Sequence, residues 1–372
     1  MEVSTTEIST TEISTEKSTE KSTIEEKTLR LASLFLVLLS VAVCVMLPYL
    51  PSLYTREVEE REKRLAEEEF AQSQVAMQDL EIKEQDDAAG MKGQLRIRLP
   101  EGVDGSSIEV NSDYVTQTVR VEIPGTDMAY FDSYPVTGDS NYIDTLSYTR
   151  QGGEGVVEVV TNQVYELRTE YDSQYYYFNF LTPQEVYDKV VVIDAGHGGR
   201  APGATKQGVN EKDIDLAIVL QLQKIFEESD ENIGVYYTRT DDSNPTFDQR
   251  VQLANKSNAD LFISVHNNST GSGRMSGTKG TQVMYDETSG ESKAFAQICL
   301  EEVTSEIGSV DKGLVEGDEI YIIRTSEVPV ALIEVGFMTN REELALLNSE
   351  EYQRQTAQGI YNAVLRAFEE GY

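Results

Sequence analysis

Residues 190–199 read VVVIDAGHGG, and this stretch decides the fold of the part of the chain that follows it. Its four leading residues are apolar and β-branched, which is typical of a short strand buried in a parallel sheet. The glycines after Asp194 let the backbone turn sharply and leave the side chain of His197 projecting at the carboxyl end of the strand. In open α/β sheets, ligands bind at this edge.

The second histidine of the chain is placed in the same way. His266 ends the run LFISVH, residues 261–266, and the sequence contains two histidines in all. A hydrogen-bonded structural histidine is the ordinary explanation for either residue alone. Two histidines at two strand ends instead predict that His197 and His266 bind one metal ion. Cys44 and Cys299 indicate neither a disulfide framework nor a thiolate site, so any further ligand must be a carboxylate.

Two glutamates are candidates to complete this site. Catalytic zinc takes three protein ligands and keeps a fourth position open for water. Glu211 opens the helix after the glycine loop and can point back over the strand ends; its alternative role is to complement the helix dipole. Glu334 interrupts the apolar strand VALIEVGF, residues 330–337, where an unpaired carboxylate is costly to bury. We interpret Glu334 as the base for water; the alternative is a strand-end glutamate that faces solvent or pairs with an arginine.

Length and charge limit the classes of protein that fit. A chain of 372 residues can form two folded domains and additional segments. Its net charge of −34 argues against a nucleic-acid-binding protein, which would need a basic face. Part of that acidity lies in the N-terminal segments and concerns solubility more than chemistry.

The N-terminal part predicts three segments without a globular core. Residues 1–30 form a Ser/Thr/Glu repeat that cannot bury enough apolar area to fold, which predicts a disordered tail. Residues 31–50 are a nearly continuous apolar run and predict a single transmembrane helix, since no A-x-A-like cleavage site follows. Residues 55–89 are rich in helix formers and predict a solvated helical stalk. A dimeric coiled coil is the alternative for the stalk.

Residues 92–183 predict an all-β domain. Apolar and polar residues alternate in several short runs, among them LRIRL at 95–99 and VRVEI at 119–123. The loop 172–174 predicts a hairpin between its flanking runs. This segment faintly resembles the AMIN domains that precede cell-wall amidases, whose role is thought to be targeting to the wall. Its tyrosine run, YYYF at 175–178, is interpreted as a cross-strand aromatic ladder, with a sugar-binding surface as the alternative.

Residues 188–372 predict an α/β domain with a mostly parallel sheet and helices on both faces. Strand and helix patterns alternate from the first glycine loop to the C-terminal helix. The strands that end in His197 and His266 and the strand that contains Glu334 all belong to this sheet. The fold, and no single helix, must therefore assemble the predicted site.

Several motifs of this domain, taken in order, resemble one family. They are DAGHGG (194–199), NEKD (210–213), TRTDD (238–242), RVQLAN (250–255), ADLFISVHNN (259–268) and EVGFMTN (334–340). The resemblance is to the zinc-dependent N-acetylmuramoyl-L-alanine amidases of the amidase-3 family and covers about half of the chain. It implies that His197, Glu211 and His266 are the metal ligands of one Zn²⁺ and that Glu334 is the catalytic glutamate.

The resemblance also implies a reaction and a place in the cell. The expected reaction is hydrolysis of the amide between N-acetylmuramic acid and L-alanine in peptidoglycan, in wall remodelling, cell separation or autolysis. Zinc would activate water and polarise the carbonyl, and Glu334 would move the proton. Peptidoglycan lies outside the bacterial cytoplasmic membrane, so residues 1–30 are expected inside and both folded domains outside, with residues 31–50 as the membrane contact.

Two other functions and one partner stay open at this point. A zinc peptidase that cleaves within the stem peptide would use the same ligands and base. A non-catalytic wall-binding protein is the second alternative, although all four site residues are retained. Asn267, Asn268 and Arg341 are weak candidates to orient substrate. An activator protein is a possible additional partner, whereas nucleic acid is not expected.

Overall fold

The computed structural model describes residues 61, 63–65, 78–84, 92–151 and 154–372. All of them belong to one compact unit, Val58–Tyr372. The predicted tail (1–30) and the predicted transmembrane segment (31–50) lie outside the described residues. Among the helices that are described, none is long and apolar enough to cross a membrane.

The first half of the described chain forms two five-stranded sheets. Their strands are β1 (Gln78–Asp79), β2 (Ile82–Glu84), β3 (Leu95–Arg98), β4 (Glu109–Asp113), β5 (Thr118–Ile123), β6 (Val136–Gly138), β7 (Ile143–Gln151), β8 (Glu154–Thr161), β9 (Glu166–Tyr171) and β10 (Tyr175–Leu181). One sheet has the order β1-β7-β8-β5-β4 and the other the order β2-β6-β3-β10-β9. One short helix, α1 (Met128–Ser133), lies between β5 and β6.

Alternation along the strands explains how this segment folds. Leu95 and Ile97 of β3 are buried with Val121 and Ile123 of β5 in one core, and the residues between them face outward. The predicted hairpin is present, with β9 and β10 paired antiparallel and the Asp172 carboxylate accepting from the backbone of the turn. The likeness of this segment to AMIN domains stays a prediction.

The predicted helical stalk, residues 55–89, is wrong for residues 78–84. Residues 61 and 63–65 are helical. By contrast, β1 pairs with β7, and β2 pairs with β6, so residues 78–84 extend the two sheets. Helix propensity is a weak preference, and an available sheet edge with unpaired backbone groups outweighs it here.

The second half of the chain forms a six-stranded sheet. Its elements in chain order are β11 (Lys189–Ala195), the small hairpin β12 (Thr205–Lys206) and β13 (Val209–Asn210), α2 (Glu211–Glu227), β14 (Ile233–Tyr237), α3 (Phe247–Lys256), β15 (Leu261–Asn268), β16 (Thr281–Tyr285), α4 (Gly290–Ile307), β17 (Asp311–Glu316), α5 (Tyr321–Arg324), β18 (Val330–Phe337), α6 (Arg341–Leu347) and α7 (Glu350–Glu369). The sheet order is β14-β11-β15-β18-β16-β17.

The predicted α/β architecture is confirmed. Strands β14, β11, β15 and β18 are parallel, whereas β16 runs antiparallel to β18 and carries β17 parallel to itself. Val191 and Ile193 pack with α2, α4 and α7 on one face of the sheet. Val190 and Val192 pack with α3 and α5 on the other face. The apolar run of β11 is therefore buried from both sides, as its composition predicts.

Glu166 of β9 joins the β-rich half to the α/β half. Its carboxylate accepts hydrogen bonds from the hydroxyl of Tyr236 in β14, at 2.6 Å, and from that of Tyr114, at 3.1 Å. The two rings meet edge to face at 4.9 Å between centroids. Burial, together with the Glu166 charge, raises the pKa of both tyrosines. Both hydroxyls therefore stay protonated donors at ordinary pH.

We expect Glu166→Ala to lower the free energy of unfolding by about 2–4 kcal/mol, because two largely buried hydroxyls lose an ionised acceptor. Urea denaturation measures this change. Glu170→Ala is the matched control on the same strand, where Glu170 pairs with Lys92 and both side chains are more than half exposed. That change should cost about 0–1 kcal/mol. Equal effects of the two substitutions would contradict the role of Glu166.

Candidate metal centre

His197 lies in a tightly constrained loop directly after β11. Its φ of 58° is left-handed, a conformation that non-glycine residues adopt only where the surroundings enforce it. Gly198 follows with a φ of 136°, and a Cβ there would come within 2.1 Å of the Ser243 carbonyl oxygen. The glycines of the motif are therefore required by space as well as by backbone conformation.

Two buried arginines hold this loop in place. Arg239 donates to the carbonyls of Ala195 and Gly196, at 2.9 and 2.6 Å. Arg250 donates to the carbonyls of Ala195 and His197, at 2.7 and 2.6 Å. The carbonyls of three successive residues thus accept from guanidinium groups, which orients the peptide units around His197.

The Asp194 carboxylate balances the charge of Arg250. The two groups are 2.6 Å apart, and Asp194 also accepts from Thr238 and Ser264 at 2.6 Å each. Burial works to raise the pKa of Asp194, but the Arg250 guanidinium and these donors outweigh it and hold the pKa at about 2. The motif residues TRTDD, RVQLAN and SVHNN therefore act together to support the DAGHGG loop.

His266 lies near the end of β15, on the strand next to β11. The register pairs Ala195 with Val265, so that His266 is level with Gly196. A Cβ on Gly196 would approach the His266 ring to 2.4 Å. The centroids of the two imidazole rings are 4.8 Å apart. The predicted convergence of the two histidines at one edge of the sheet is present.

Glu211 is the first residue of α2 and lies between the two histidines. Its Oε1 is 3.0 Å from Nε2 of His197 and 3.2 Å from Nδ1 of His266. The same oxygen accepts from the backbone N–H of Asn267 at 3.1 Å, and Oε2 accepts from that of Ala204 at 2.7 Å. Burial alone would raise the pKa of Glu211, but the two imidazoles hold it well below its usual range.

These three side chains fit a divalent metal ion such as zinc. Bond lengths of 2.0–2.1 Å in a tetrahedral zinc site place neighbouring ligand atoms roughly 3.3 Å apart. The observed separations of 3.0 and 3.2 Å from Glu211 to the two imidazoles are close to that value. Two imidazole nitrogens and a carboxylate are also a donor set that catalytic zinc sites use.

Asp215 lies at this centre together with His197, Glu211 and His266, and the sequence did not lead us to predict it. It lies one helical turn after Glu211, is fully buried, and has ligand atoms within 4.8 Å of the other three. Burial, reinforced by the Glu211 charge, raises the pKa of Asp215 well above its ordinary value. The i to i+4 spacing on α2 was the available signal, because it places both carboxyls on one helix face.

Asn267 is bonded to Asp215, and its candidate role in orienting substrate stays a prediction. Its side-chain amide donates to Asp215 at 2.7 Å, and the residue is 1% exposed. Asn268 donates to Gln282 of β16 at 3.3 Å. Arg341 is exposed at the start of α6.

Glu334 is brought beside the two histidines by strand pairing. In the parallel pair β15 and β18, Glu334 is directly opposite His266, and on its other side it is opposite Gln282 of β16. Its Oε2 is buried, and the described residues offer it no hydrogen-bond partner. Burial, with the nearby Glu211 charge, raises the pKa of Glu334 to about 8. Among the described residues no arginine forms an ion pair with Glu334, which argues against the surface-glutamate alternative.

Glu343, another buried carboxyl of this half, was also not predicted. It lies in α6 and accepts from the backbone N–H of Phe337 at 2.7 Å and of Gly280 at 2.8 Å. These bonds tie the end of β18 to the start of β16. They therefore connect the strand that contains Glu334 to its neighbour β16, although nothing in the motif EVGFMTN indicated this role.

An α/β sheet that gathers two histidines and a glutamate at one edge, next to a buried carboxyl group, has the residue set of a metal-dependent hydrolase. Residues 191–366 match the amidase-3 family, described as N-acetylmuramoyl-L-alanine amidase. The chain belongs to this family.

Individual relatives are similar to this chain over the same half. An uncharacterised protein of Bacillus subtilis is 37% identical over 181 residues, which are 49% of this chain and 85% of that protein. The germination-specific N-acetylmuramoyl-L-alanine amidase of Bacillus subtilis is 31% identical over 196 residues, or 49% of this chain and 81% of that protein. The solved catalytic domain of CwlV, an N-acetylmuramoyl-L-alanine amidase from Bacillus (Paenibacillus) polymyxa var. colistinus, is 36% identical; the match covers 49% of this chain and 98% of that domain, with a TM-score of 0.46.

We expect His197→Ala to lose the bound metal, because one of three converging ligands is removed. The zinc content of the purified protein, measured by inductively coupled plasma mass spectrometry, reports the loss. Gln207→Ala is the matched control, since Gln207 has a similar φ of 52° in the same region but is exposed. It should keep the metal. Unchanged zinc content in His197→Ala would overturn the ligand assignment.

Glu334→Gln should keep the metal and lose turnover, because the amide fills the same space but cannot take a proton. Zinc content and hydrolysis of peptidoglycan are measured on the same preparation. Loss of zinc from this variant would show that Glu334 is a ligand or a structural residue.

The same substitution has a second readout on the metal-free protein. The folded chain keeps a proton on Glu334 up to a pH of about 8, whereas the ordinary pKa is 4.5. This contribution to stability is therefore fully present below about pH 4 and lost as the pH rises toward 8. Chelator-treated Glu334→Gln should be more stable than the parent chain at pH 8 and similar to it at low pH. Thermal unfolding at several pH values tests the difference.

Proposed function

We propose that this protein hydrolyses the amide bond between N-acetylmuramic acid and the L-alanine of the stem peptide in peptidoglycan. The observation that carries the proposal is the register between β15 and β18. It places Glu334, whose buried Oε2 has no hydrogen-bond partner among the described residues, beside His266 at the sheet edge where His197 and Glu211 converge. Membership of the amidase-3 family supports this bond as the substrate.

His197, Glu211 and His266 would hold a single zinc ion in this site. When bound, zinc lowers the pKa of a water molecule toward about 7 and polarises a carbonyl oxygen. The contacts of these three side chains already orient them toward a common point. The buried Glu211 already faces both imidazoles, and its second oxygen is fixed by the backbone of Ala204.

Glu334 would act as the general base and then as the general acid. Its environment keeps the carboxyl neutral without a cation, with a pKa of about 8. A divalent charge nearby favours the ionised form and brings the pKa toward neutrality, where proton transfer in both directions is efficient. The carboxylate would take the proton of the attacking water and pass it to the nitrogen of the leaving L-alanine.

Asp215 would have a supporting role toward the ligands. Its raised pKa keeps it neutral beside the ionised Glu211, so that the site does not contain two adjacent negative charges. The amide of Asn267 fixes one Asp215 oxygen, and its backbone N–H fixes Glu211. These bonds restrict Glu211 to the side of α2 that faces the histidines.

For the cellular location, we propose a single-pass protein of the bacterial cytoplasmic membrane. Residues 31–50 would be the anchor, with residues 1–30 inside and the two folded regions outside. The support is the apolar sequence of the segment together with the extracytoplasmic position of peptidoglycan. The role would be in remodelling, cell separation or autolysis.

The test is mass spectrometry of the products that the purified chain releases from peptidoglycan, with and without a chelator. Free stem peptides that begin with L-alanine are expected, absent under chelation and restored by added zinc. Cleavage inside the stem would instead identify a zinc peptidase. Bound zinc without any product would favour a wall-binding role or a required activator protein.

A further inference from the structure

A groove on the outer face of the sheet β2-β6-β3-β10-β9 is lined mostly by cationic and aromatic side chains, whereas the chain as a whole is acidic. It has a volume of about 360 Å³ and is lined mainly by Lys83, Glu84, Arg96, Arg98, Tyr134 and Tyr175. Three of these side chains are cationic and one is anionic, so the lining carries a net charge of about +2 in a chain whose net charge is −34. The groove is therefore a local positive site on an acidic protein.

Strand register, and not chance proximity, brings the cations together. Lys83 of β2 is opposite Thr137 of β6, and Thr137 is opposite Arg96 of β3. Arg98, two residues further along β3, is opposite Tyr175 of β10, so a row of groove residues crosses four strands. Paired residues lie on the same face of a sheet. With strands about 4.8 Å apart, the row is roughly 14 Å long, enough for an extended polymer and not only for a single small ion.

Each arginine of the groove is held against a tyrosine ring. The Arg96 guanidinium lies 4.6 Å from the centroid of Tyr175, and that of Arg98 lies 4.5 Å from the centroid of Tyr134. A ring contact of this kind restricts a guanidinium without using the N–H donors that lie in the plane of the group. The ordering of these side chains therefore precedes binding, which lowers its entropic cost.

The single carboxylate of the groove is already engaged in part. Glu84 accepts a hydrogen bond from the backbone N–H of Ser140 at 3.3 Å. Tyr134 is 40% exposed and offers an aromatic face next to the stacked Arg98. Among the groove residues there is no exposed large aliphatic side chain of the kind that enters a lipid bilayer. The chemistry thus matches a soluble anionic chain that carries ring-shaped, partly apolar units.

We propose that this groove binds an anionic glycan, with a phosphate or carboxylate group held by Arg96 and Arg98 and a sugar ring placed against Tyr134. Guanidinium groups bind both kinds of oxyanion with paired hydrogen bonds. Aromatic rings pack well against the apolar face of a sugar. The groove lies on the β-rich half, and its binding does not depend on the reaction at the metal centre. It would hold the protein on an acidic polymer while the other half acts on its own substrate.

The experiment measures binding of the full chain to soluble polymers by titration calorimetry, with chelator present so that no hydrolysis occurs. The probes are polyglycerol phosphate, polygalacturonate and neutral dextran. The parent chain should bind at least one of the two anionic polymers, less tightly as salt is added, and should not bind dextran. Which of the two binds identifies the oxyanion.

Variants locate the site. Arg98→Gln removes one charge-assisted contact and should weaken binding about tenfold. Tyr134→Ala should weaken it in the same direction. Arg120→Gln is the matched control, since Arg120 lies on β5 of the other sheet and bonds to Gln151; it should leave the affinity within about twofold. Equal affinity of Arg98→Gln and the parent chain would overturn the proposal.

Two further arms exclude other occupants. Vesicles of phosphatidylglycerol and phosphatidylcholine in equal parts test a lipid surface, and binding to vesicles without binding to either polymer would overturn the proposal. Asp86 and Asp87 follow β2 closely in the sequence. If polymer binding appears only after both of these residues are changed to Asn, the groove of the native chain serves its own acidic segment, and the proposal fails.

Discussion

The buried ion pair between Asp194 and Arg250 is the interaction on which the metal centre depends most. Both side chains are at most 3% exposed, so neither charge is tolerable without the other. Arg250 belongs to helix α3 and Asp194 to strand β11, and the same guanidinium donates to the backbone of the loop that carries His197. One pair of opposite charges therefore connects the layers of the fold to the geometry of a ligand. It also explains why His197 can keep an unfavourable backbone conformation.

Environment divides the carboxyl groups of the centre into two kinds. Glu211 is buried, but two imidazoles and two backbone N–H groups face it, and its pKa is held below the usual range. Glu334 lies beside the Glu211 charge, its buried Oε2 has no such donor in the described part of the chain, and its pKa is raised to about 8. A ligand must be ionised, and a base must exchange a proton near neutral pH. The fold meets both requirements with chemically identical side chains by placing them in different surroundings.

The contacts that join the β-rich half to the α/β half differ from the contacts on the outer face of the β-rich half. Glu166 accepts from tyrosines on both sides of the junction, whereas the arginines of the outer groove lie on tyrosine rings. The junction is buried, and the groove is open. This arrangement suits a rigid connection on one side and a binding surface on the other.

The sequence by itself indicated the α/β class and the four candidate residues His197, Glu211, His266 and Glu334, because periodicity, glycine loops and a carboxylate in an apolar strand are local signals. It also placed the hairpin of the β-rich half. Only the tertiary structure decided that residues 78–84 extend the sheets, since that choice depends on edges supplied by distant strands. The same holds for Asp215, Glu343 and the two arginines behind the loop. Their roles arise from burial and from contacts between segments that are far apart in the chain. Apart from the i to i+4 spacing of Glu211 and Asp215, no short stretch of sequence indicates these contacts.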